Sequence, residues 1–524
     1  MKFRIALLIV VLFVIYGHLG DFFEPIRPIH EWRKTDSFSI ALNYMKGNSF
    51  WQPETQYVSP FNNRAAAGEF PIVYYIIGNL WSIFGQHEWI GKLLTYLTLY
   101  TALILFSEVL QYFFRSEKKT LVFTATLLSS PVLLFYSNTI LPNLYSFSFL
   151  LITAYLIYKY LTRPKGYHVV LLVFFLTLAV LIKITALIAV LTFAGAAVVH
   201  YGFIKKEIFG LYLKPTLVFA MSLVIALLCT WQWYSYAVRY NEFHHSDLFS
   251  TVVRPIWEVS ANDVQRIWTS IWKYQFNLIF HLSVLLPLIC LIIYAMLRQR
   301  IKGFLFIALL IGCVGVCSYI ALWFWALEVH DYYLIEALFL PLTMLFIIFK
   351  DFEYYFLRFK WMKTAVFISF SIVIFTHALA YSQTSRGKNN LISRNNILLS
   401  SFIRGNWWYF NDYYNSHLGK LQSHIEGVRQ VISPMDTVIC INDPSPNIQL
   451  YSIGRIGFTR MGFDRELPDS TVIAELVERG ASKILKVGEE SQDTTAQLFF
   501  VDTLFHKDGI YVFDLARYNK QIVH

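Results

Sequence analysis

Charge is scarce in this 524-residue chain. Asp, Glu, Lys and Arg make up 15% of it, against about a quarter in an average soluble domain. In their place stand hydrophobic residues at 56% and aromatics at 18%, with a mean hydropathy of +0.48. That composition excludes an ordinary soluble fold and implies a membrane protein. Cysteine is scarce too. Of five, Cys229, Cys290, Cys313 and Cys317 fall in apolar runs and only Cys440 lies outside them, so neither a disulfide framework nor a zinc-binding spacing follows. The chain also lacks a glycine-rich phosphate loop. It has no small-residue cleavage pattern after Gly20 that would make Lys2 and Arg4 the start of a cleaved signal peptide. No obvious inverted repeat or pair of Gly/Pro-broken spans, as transporters carry, is visible.

What is there is a succession of apolar runs able to cross about 30 Å of hydrocarbon. About eleven are expected, at 3–20, 89–114, 120–137, 144–161, 168–182, 185–201, 213–234, 276–297, 302–325, 333–349 and 361–381. After 381 the composition becomes that of a small soluble domain. The net charge of +10, from 44 Lys+Arg against 34 Asp+Glu, would suggest nucleic acid in a soluble protein. Its placement argues otherwise. Lys2/Arg4, Arg115/Lys118/Lys119, Arg163/Lys165, Lys205/Lys206, Arg298/Arg300/Lys302 and Lys350/Arg358/Lys360 occupy alternate connections. The positive-inside rule makes those connections cytoplasmic, with the N-terminus inside, the C-terminal domain outside and no nucleic-acid partner.

Three longer pieces then lie on the outer face: 21–88, 235–275 and everything after about 382. In the first, Phe38, Ala41, Leu42 and Met45 follow the i, i+3, i+4, i+7 rule, which predicts a helix over Asp36–Lys46 stopped by Gly47. Asp36, Ser39, Asn43 and Lys46 form its opposite stripe, so the helix is expected to lie in the membrane interface. Phe70–Phe84 is too short for a confident span and reads as a second surface helix. The C-terminal domain alternates strand and helix: Asp436–Ile441 and Ser482–Val487 as strands, Ser470–Arg479 as a helix. Phe499–Phe505 and Ile510–Phe513 form a hairpin about Lys507-Asp508-Gly509. Asn442-Asp443-Pro444 reads as a strand-ending turn.

Asp36 follows Arg33 by three residues, and a second acidic landmark stands in Gly68-Glu69-Phe70-Pro71-Ile72 with Tyr75. With these come Pro142-Asn143 at the start of a span, Leu181-Ile182-Lys183-Ile184-Thr185, Gln232-Trp233-Tyr234, and Tyr332-Tyr333-Leu334 followed by an apolar run to Pro341. In order and spacing this set resembles the GT-C membrane glycosyltransferases, most closely the family of protein O-mannosyltransferases and the bacterial aminoarabinose transferase of lipid A (glycosyltransferase family 39-like). The resemblance covers roughly the first 350 residues. It implies that Asp36 occupies the position of the family's essential first-loop Asp. Glu69 stands where the family's Glu-Lys-Pro-Pro/Ile segment helps to hold a divalent metal, although Phe70 replaces the Lys. No His partner is fixed by spacing; His87, His244 and His245 are the candidates. Asn143 takes the place of the family's second acid. An amide there keeps hydrogen bonding and loses the charge, which allows a different acceptor, a metal-free site or a non-catalytic relative.

The chemistry implied is transfer of a sugar from a polyprenyl-phosphate donor to lipid A, another envelope glycan or a protein, at the outer face of a bacterial inner membrane. An acceptor hydroxyl is a weak nucleophile, so a carboxylate beside it must take its proton; Asp36 is the candidate base, with Glu69 as a second catalytic candidate. The leaving phosphate needs fixed positive partners or a metal. Arg33, Lys183, Arg254 and His330 are candidates, with Tyr333 beside them. A single displacement would invert the anomeric carbon.

Structural roles compete at each position. Asp36 suits the first turn of a helix, Lys183 could snorkel, and His330-Asp331-Tyr332-Tyr333 also fits an aromatic belt. Trp51, Trp81, Trp89 and Trp407-Trp408 read as interfacial anchors more readily than as sugar platforms. The expected architecture is a polytopic α-helical membrane protein, 1–381, containing the first outer loop 21–88, with a small α/β extracytoplasmic domain, 382–524. A lipid-linked-sugar flippase, or a ligase or polymerase using a pyrophosphate-linked donor, is the alternative.

Overall fold

The computed structural model describes residues 1–26, 29–207, 212–246, 248–249, 254–350, 360–387, 396–462, 470–488 and 498–518. The chain forms two compact units. The first comprises Met1–Phe23, Gly91–Trp233 and Thr251–Trp407; the second comprises Glu24–Ile90, Tyr234–Ser250 and Trp408–His524.

The protein is a multi-span helical membrane protein with a small mixed sheet near its C-terminus. Among the described residues six helices are long and apolar enough to cross a membrane: Glu88–Phe114, Pro142–Thr162, Ile184–Ile204, Leu213–Phe243, Phe304–Leu322 and Thr364–Ser385. Counting each bent pair as one span, Ala261–Ile279 with Leu282–Leu297 (85°) and Asp331–Ala337 with Phe339–Lys350 (47°), raises the number to eight. The eleven expected runs all fall on helical segments, but several are broken, and the backbone shows why. The first helix, Lys2–Ile15, ends before Gly17, whose φ of +74° suits glycine, and the Arg386 guanidinium fills the space a side chain would take there. The run at 120–137 divides at Ser129-Ser130, and Pro131 opens its second piece. Gly166–Ile182 stops because Lys183 is extended, with φ −149° and ψ 106°.

Ion pairs tie the first unit at both ends of its first helix. Lys2 and Lys159 each approach Glu108 at 2.5 Å, Arg4 meets Glu117 at 2.8 Å, and Lys119 reaches the Lys350 carbonyl at 3.5 Å. Beyond the helix's far end, Asp21 pairs with Arg386 while its carbonyl accepts from Lys92 at 2.9 Å.

In the second unit we label helices α1 (Glu31–Met45), α2 (Ile72–Phe84), α3 (Ile448–Ile453) and α4 (Ser470–Glu478). Its strands are β1 (Thr437–Cys440), β2 (Ile456–Thr459), β3 (Ala481–Val487), β4 (Thr503–Lys507) and β5 (Ile510–Asp514). Helix α1 begins five residues before the predicted start and ends at the predicted Gly47, which has φ +100°. Phe38, Ala41 and Leu42 are buried as their spacing requires; so are Asp36, Ser39 and Asn43 on the opposite stripe. The helix is therefore enclosed on both faces, and Lys46 alone of the polar stripe is exposed. Phe38 stacks between Trp81 (5.4 Å) and Tyr451 (5.7 Å). Helices α1 and α2 cross at Gly78, where an added Cβ would lie 2.5 Å from the Ala41 carbonyl oxygen and 2.7 Å from the Tyr44 Cβ.

The sheet order is β2-β1-β3-β5-β4, with β1 parallel to β2 and β3, and β5 antiparallel to β3 and β4. Alternation sends Val438, Leu485 and Val512 to one core and Ile439, Ile484 and Phe513 to the other. Asp508 (φ 50°) and Gly509 (φ 76°) form the tight β4–β5 turn anticipated from the sequence. Strand β2 escaped the sequence reading because it is four residues long with a glycine inside. That glycine lies against β1, where an added Cβ would meet the Val438 backbone; the first loop pairs with it as well. Val58 N–H donates to the Gly457 carbonyl (2.7 Å) and Gly457 N–H to the Gln56 carbonyl (3.0 Å), extending the sheet beyond β2.

Gly78→Leu must force α1 and α2 apart. We expect a loss of about 1–3 kcal/mol, read as a lower thermal midpoint of the detergent-solubilised protein, while Gly20→Leu, whose site is open, leaves the midpoint unchanged.

Candidate active site

Asp36 sits in the second turn of α1, 2% exposed. Its Oδ1 accepts from Asn447 Nδ2 at 2.8 Å. The same amide's oxygen accepts from Tyr57 N–H (3.2 Å) and the Ser39 hydroxyl (3.0 Å), which fixes which end of Asn447 faces the acid. Burial raises the Asp36 pKa from 3.8 to about 7 against the opposing pull of Arg33 and the Asn447 hydrogen bond; Asp443 and Glu69 add a further upward push. A carboxyl that titrates near neutrality and is held at one oxygen is poised to exchange a proton at the other.

Arg33 and Glu69 form an ion pair, and Tyr74 donates its hydroxyl to the same Glu69 oxygen. The Arg33 guanidinium also lies 4.9 Å over the Phe249 ring. Arg33, expected on donor phosphate, therefore meets Glu69 within the same unit and contributes to the field at Asp36. Glu69 was the candidate metal ligand. One of its oxygens is occupied by an arginine and a tyrosine, and no group of three or more His, Cys, Asp or Glu able to hold a metal exists among the described residues. His87 stacks on Trp89 and His245 on Phe61. The donor set does not fit a divalent ion at Glu69, and no step below runs through one.

In the first unit, Lys183 occupies the extended break after Gly166–Ile182, with its ammonium 4.9 Å above the Tyr333 ring. His330 packs against the same ring at 5.8 Å. Two of the donor-site candidates thus share one aromatic, Tyr333, which is the third. Arg254 lies apart on Trp325, at 5.3 Å. Asp331, between these residues in sequence, is buried and accepts from the Tyr136 and Tyr274 hydroxyls.

Asn143 is buried and donates to Glu336 Oε1 at 2.7 Å. Glu336 also feels the Lys183 charge. A carboxylate thus stands beside the Asn143 amide, contributed by another helix. Sequence reasoning passed over Glu336, although a glutamate inside Leu334-Ile335-Glu336-Ala337-Leu338 is a membrane-embedded acid and hence a functional candidate by default. Asn447 gave no such signal: an asparagine before a short helix is commonplace. Trp81 and Trp407 are fully buried rather than interfacial, whereas Trp51 and Trp408 are exposed.

The fold is that of the GT-C membrane glycosyltransferases. Over 98% of both chains it is similar to ArnT from Cupriavidus metallidurans in the apo state (TM-score 0.58, 11% identity) and to the same protein bound to undecaprenyl phosphate (0.54, 12%). It is also similar to the archaeal oligosaccharyltransferase AglB from Archaeoglobus fulgidus in complex with an inhibitory peptide and a dolichol-phosphate (0.52, 12%), over 93% of this chain and 69% of that one. No protein-family model and no curated protein sequence matches the chain.

Because Asp36 titrates higher folded than unfolded, the folded state binds more protons between about pH 4 and 7, and stability falls as pH rises through that window. Asp36→Asn removes this penalty. Its thermal midpoint should exceed the parent's at about pH 8, with the difference vanishing near pH 4.

Proposed function

We propose that the protein is a glycosyltransferase that moves a sugar from a polyprenyl-phosphate donor to an extracytoplasmic acceptor with inversion. The reading is carried by the end-to-end likeness to a fold whose ArnT member was solved with undecaprenyl phosphate, over a chain whose first non-membrane helix presents Asp36. The acceptor hydroxyl oxygen attacks the anomeric carbon and gives its proton to Asp36 Oδ2, the oxygen that Asn447 does not engage. The bond from that carbon to the phosphate oxygen breaks, and the electron pair leaves with the polyprenyl phosphate. Within the first unit, Lys183, with His330 and Tyr333 around it, is the candidate contact for the donor's phosphate. Glu336 and Asn143 hold Lys183 in register: a positioning role, since the carboxylate attracts the ammonium and the amide orients the carboxylate. Arg33 tunes the base rather than meeting the donor, and Arg254 is kept as a lesser phosphate contact.

In the same reading the protein belongs to a bacterial inner membrane with the N-terminus cytoplasmic. The contacts of the basic connections support it: Arg4 with Glu117 and Lys119 with the Lys350 carbonyl join three connections that the charge rule puts on one side. Residues 1–381 carry the membrane catalytic part, and the domain from 382 onward helps to select the acceptor, which is lipid A, another envelope glycan or a protein.

The test is transfer of radiolabel from a polyprenyl-monophosphate sugar to an envelope extract by purified protein. Asp36→Asn should lose about 10²–10⁴-fold in rate. Lys183→Met should lose about 10²-fold, and Glu336→Gln less than Lys183→Met. Full transfer by Asp36→Asn overturns the base assignment, and movement of the carrier between leaflets without transfer overturns the enzyme in favour of a flippase.

A further inference from the structure

Three buried oxygens of the second unit, Asn442 Oδ1, Gln449 Oε1 and Glu31 Oε2, have no hydrogen-bond partner, and their residues line one small cavity. Asn442 and Gln449 are 6% and 5% exposed. The Asn442 nitrogen donates to the Val487 carbonyl at 3.0 Å, so the oxygen is the end turned away from the backbone. Asp443 lines the same cavity. Its carboxylate is oriented by the Ser445 N–H (2.9 Å), the Ser445 hydroxyl (2.6 Å) and the Gln449 N–H (2.7 Å). Neither Glu31 nor Asp443 forms a salt bridge with any described residue; Lys34 is the cation whose field reaches Glu31. His417 completes the wall, with its Nδ1 on the Tyr413 carbonyl at 3.0 Å.

The sequence reading of Asn442-Asp443-Pro444 as a strand-ending turn accounts for its backbone, not for this convergence. Buried polar atoms are satisfied in nearly all native sites, so several orphaned acceptors facing one space point to a missing positive or donating species. The space suits one ion or one water. A water carries two hydrogens, enough for two of the three oxygens, and brings no charge to set against the two acids. A hard cation is coordinated by all of the oxygens together and neutralises the acids. We propose that this cavity binds a divalent oxygen-coordinated cation, calcium foremost, through the Glu31 and Asp443 carboxylates and the side-chain carbonyls of Asn442 and Gln449. Four oxygens of this kind, without thiolate, suit calcium better than zinc.

The site is separate from Glu69 and from the proposed chemistry. Glu31 lies five residues before Asp36 on α1, and Gln449 lies two after Asn447 at the start of α3, so the cation joins the two segments whose residues form the Asp36–Asn447 hydrogen bond.

Full-length protein in detergent, stripped with chelator, is titrated with calcium by calorimetry and by thermal unfolding. One calcium per chain, with a Kd of about 10⁻⁵–10⁻³ M and a raised thermal midpoint, is expected. Glu31→Gln and Gln449→Met should each weaken binding at least tenfold while keeping or raising the midpoint in chelator. Absence of saturable binding up to about 5 mM calcium overturns the proposal. So does equal affinity in both variants, or tighter binding of zinc than of calcium.

Discussion

The second unit is organised around one hydrogen bond, from Asn447 to Asp36, between residues 411 apart in sequence. A charged carboxylate would not be carried into a nearly dry environment without a partner that repays part of its lost hydration. Asn447 is that partner, and it is itself locked by Ser39 and by the Tyr57 amide, so the acid, the helix that bears it and the neighbouring first-loop strand are set together. Loss of water dominates the balance and lifts the acid towards neutrality, while Arg33, restrained by Glu69, keeps the ionised form within reach. Arg33 is thus a brake on the burial penalty, while Glu69 holds the guanidinium and itself pushes the acid further up.

The first unit holds charge differently. Of its pairs at the ends of the first helix, Lys2 and Arg4 reach solvent, whereas Arg386 at the far end is buried. Lys183 lies at a break between apolar helices, and Asn143 and Glu336 lie within helices, where an uncompensated ion costs several times more. At the break the Lys183 N–H donates to the Ala179 carbonyl (3.2 Å) and its carbonyl accepts from the Ala186 N–H (2.9 Å), and the Tyr333 ring supplies a face for the ammonium. Beside Asn143 the carboxylate is provided by Glu336 on another helix.

Features set by local physics were legible in the sequence. Apolar runs gave the helices, β-rich tetrads and a turn with two positive-φ residues gave most of the sheet, and a helical period gave α1 with its glycine stop. The count of straight spans came out lower because hydropathy cannot see where Gly17, Pro131 or Lys183 interrupts a run. The near-complete enclosure of α1 was illegible for a different reason: an amphipathic pattern records which face is apolar, not whether polar residues from a distant segment will cover the other. Asp36, Lys183, His330 and Tyr333 are candidates that motif and placement offer; Glu336 carried a readable signal that motif matching passed over. Asn447 had none.

The strand-like pairing of residues 56–58 with Gly457 sets the timetable of synthesis. At about 5–20 residues per second, the ribosome needs roughly 20–80 s to add the 400 residues that separate Tyr57 from Gly457. For that interval the residues of the Asp36 helix have been synthesised but its polar stripe lacks Asn447. The end of the chain therefore governs when its beginning becomes native, and a ribosome that stalls before β2 leaves every span before it made and this helix unfinished.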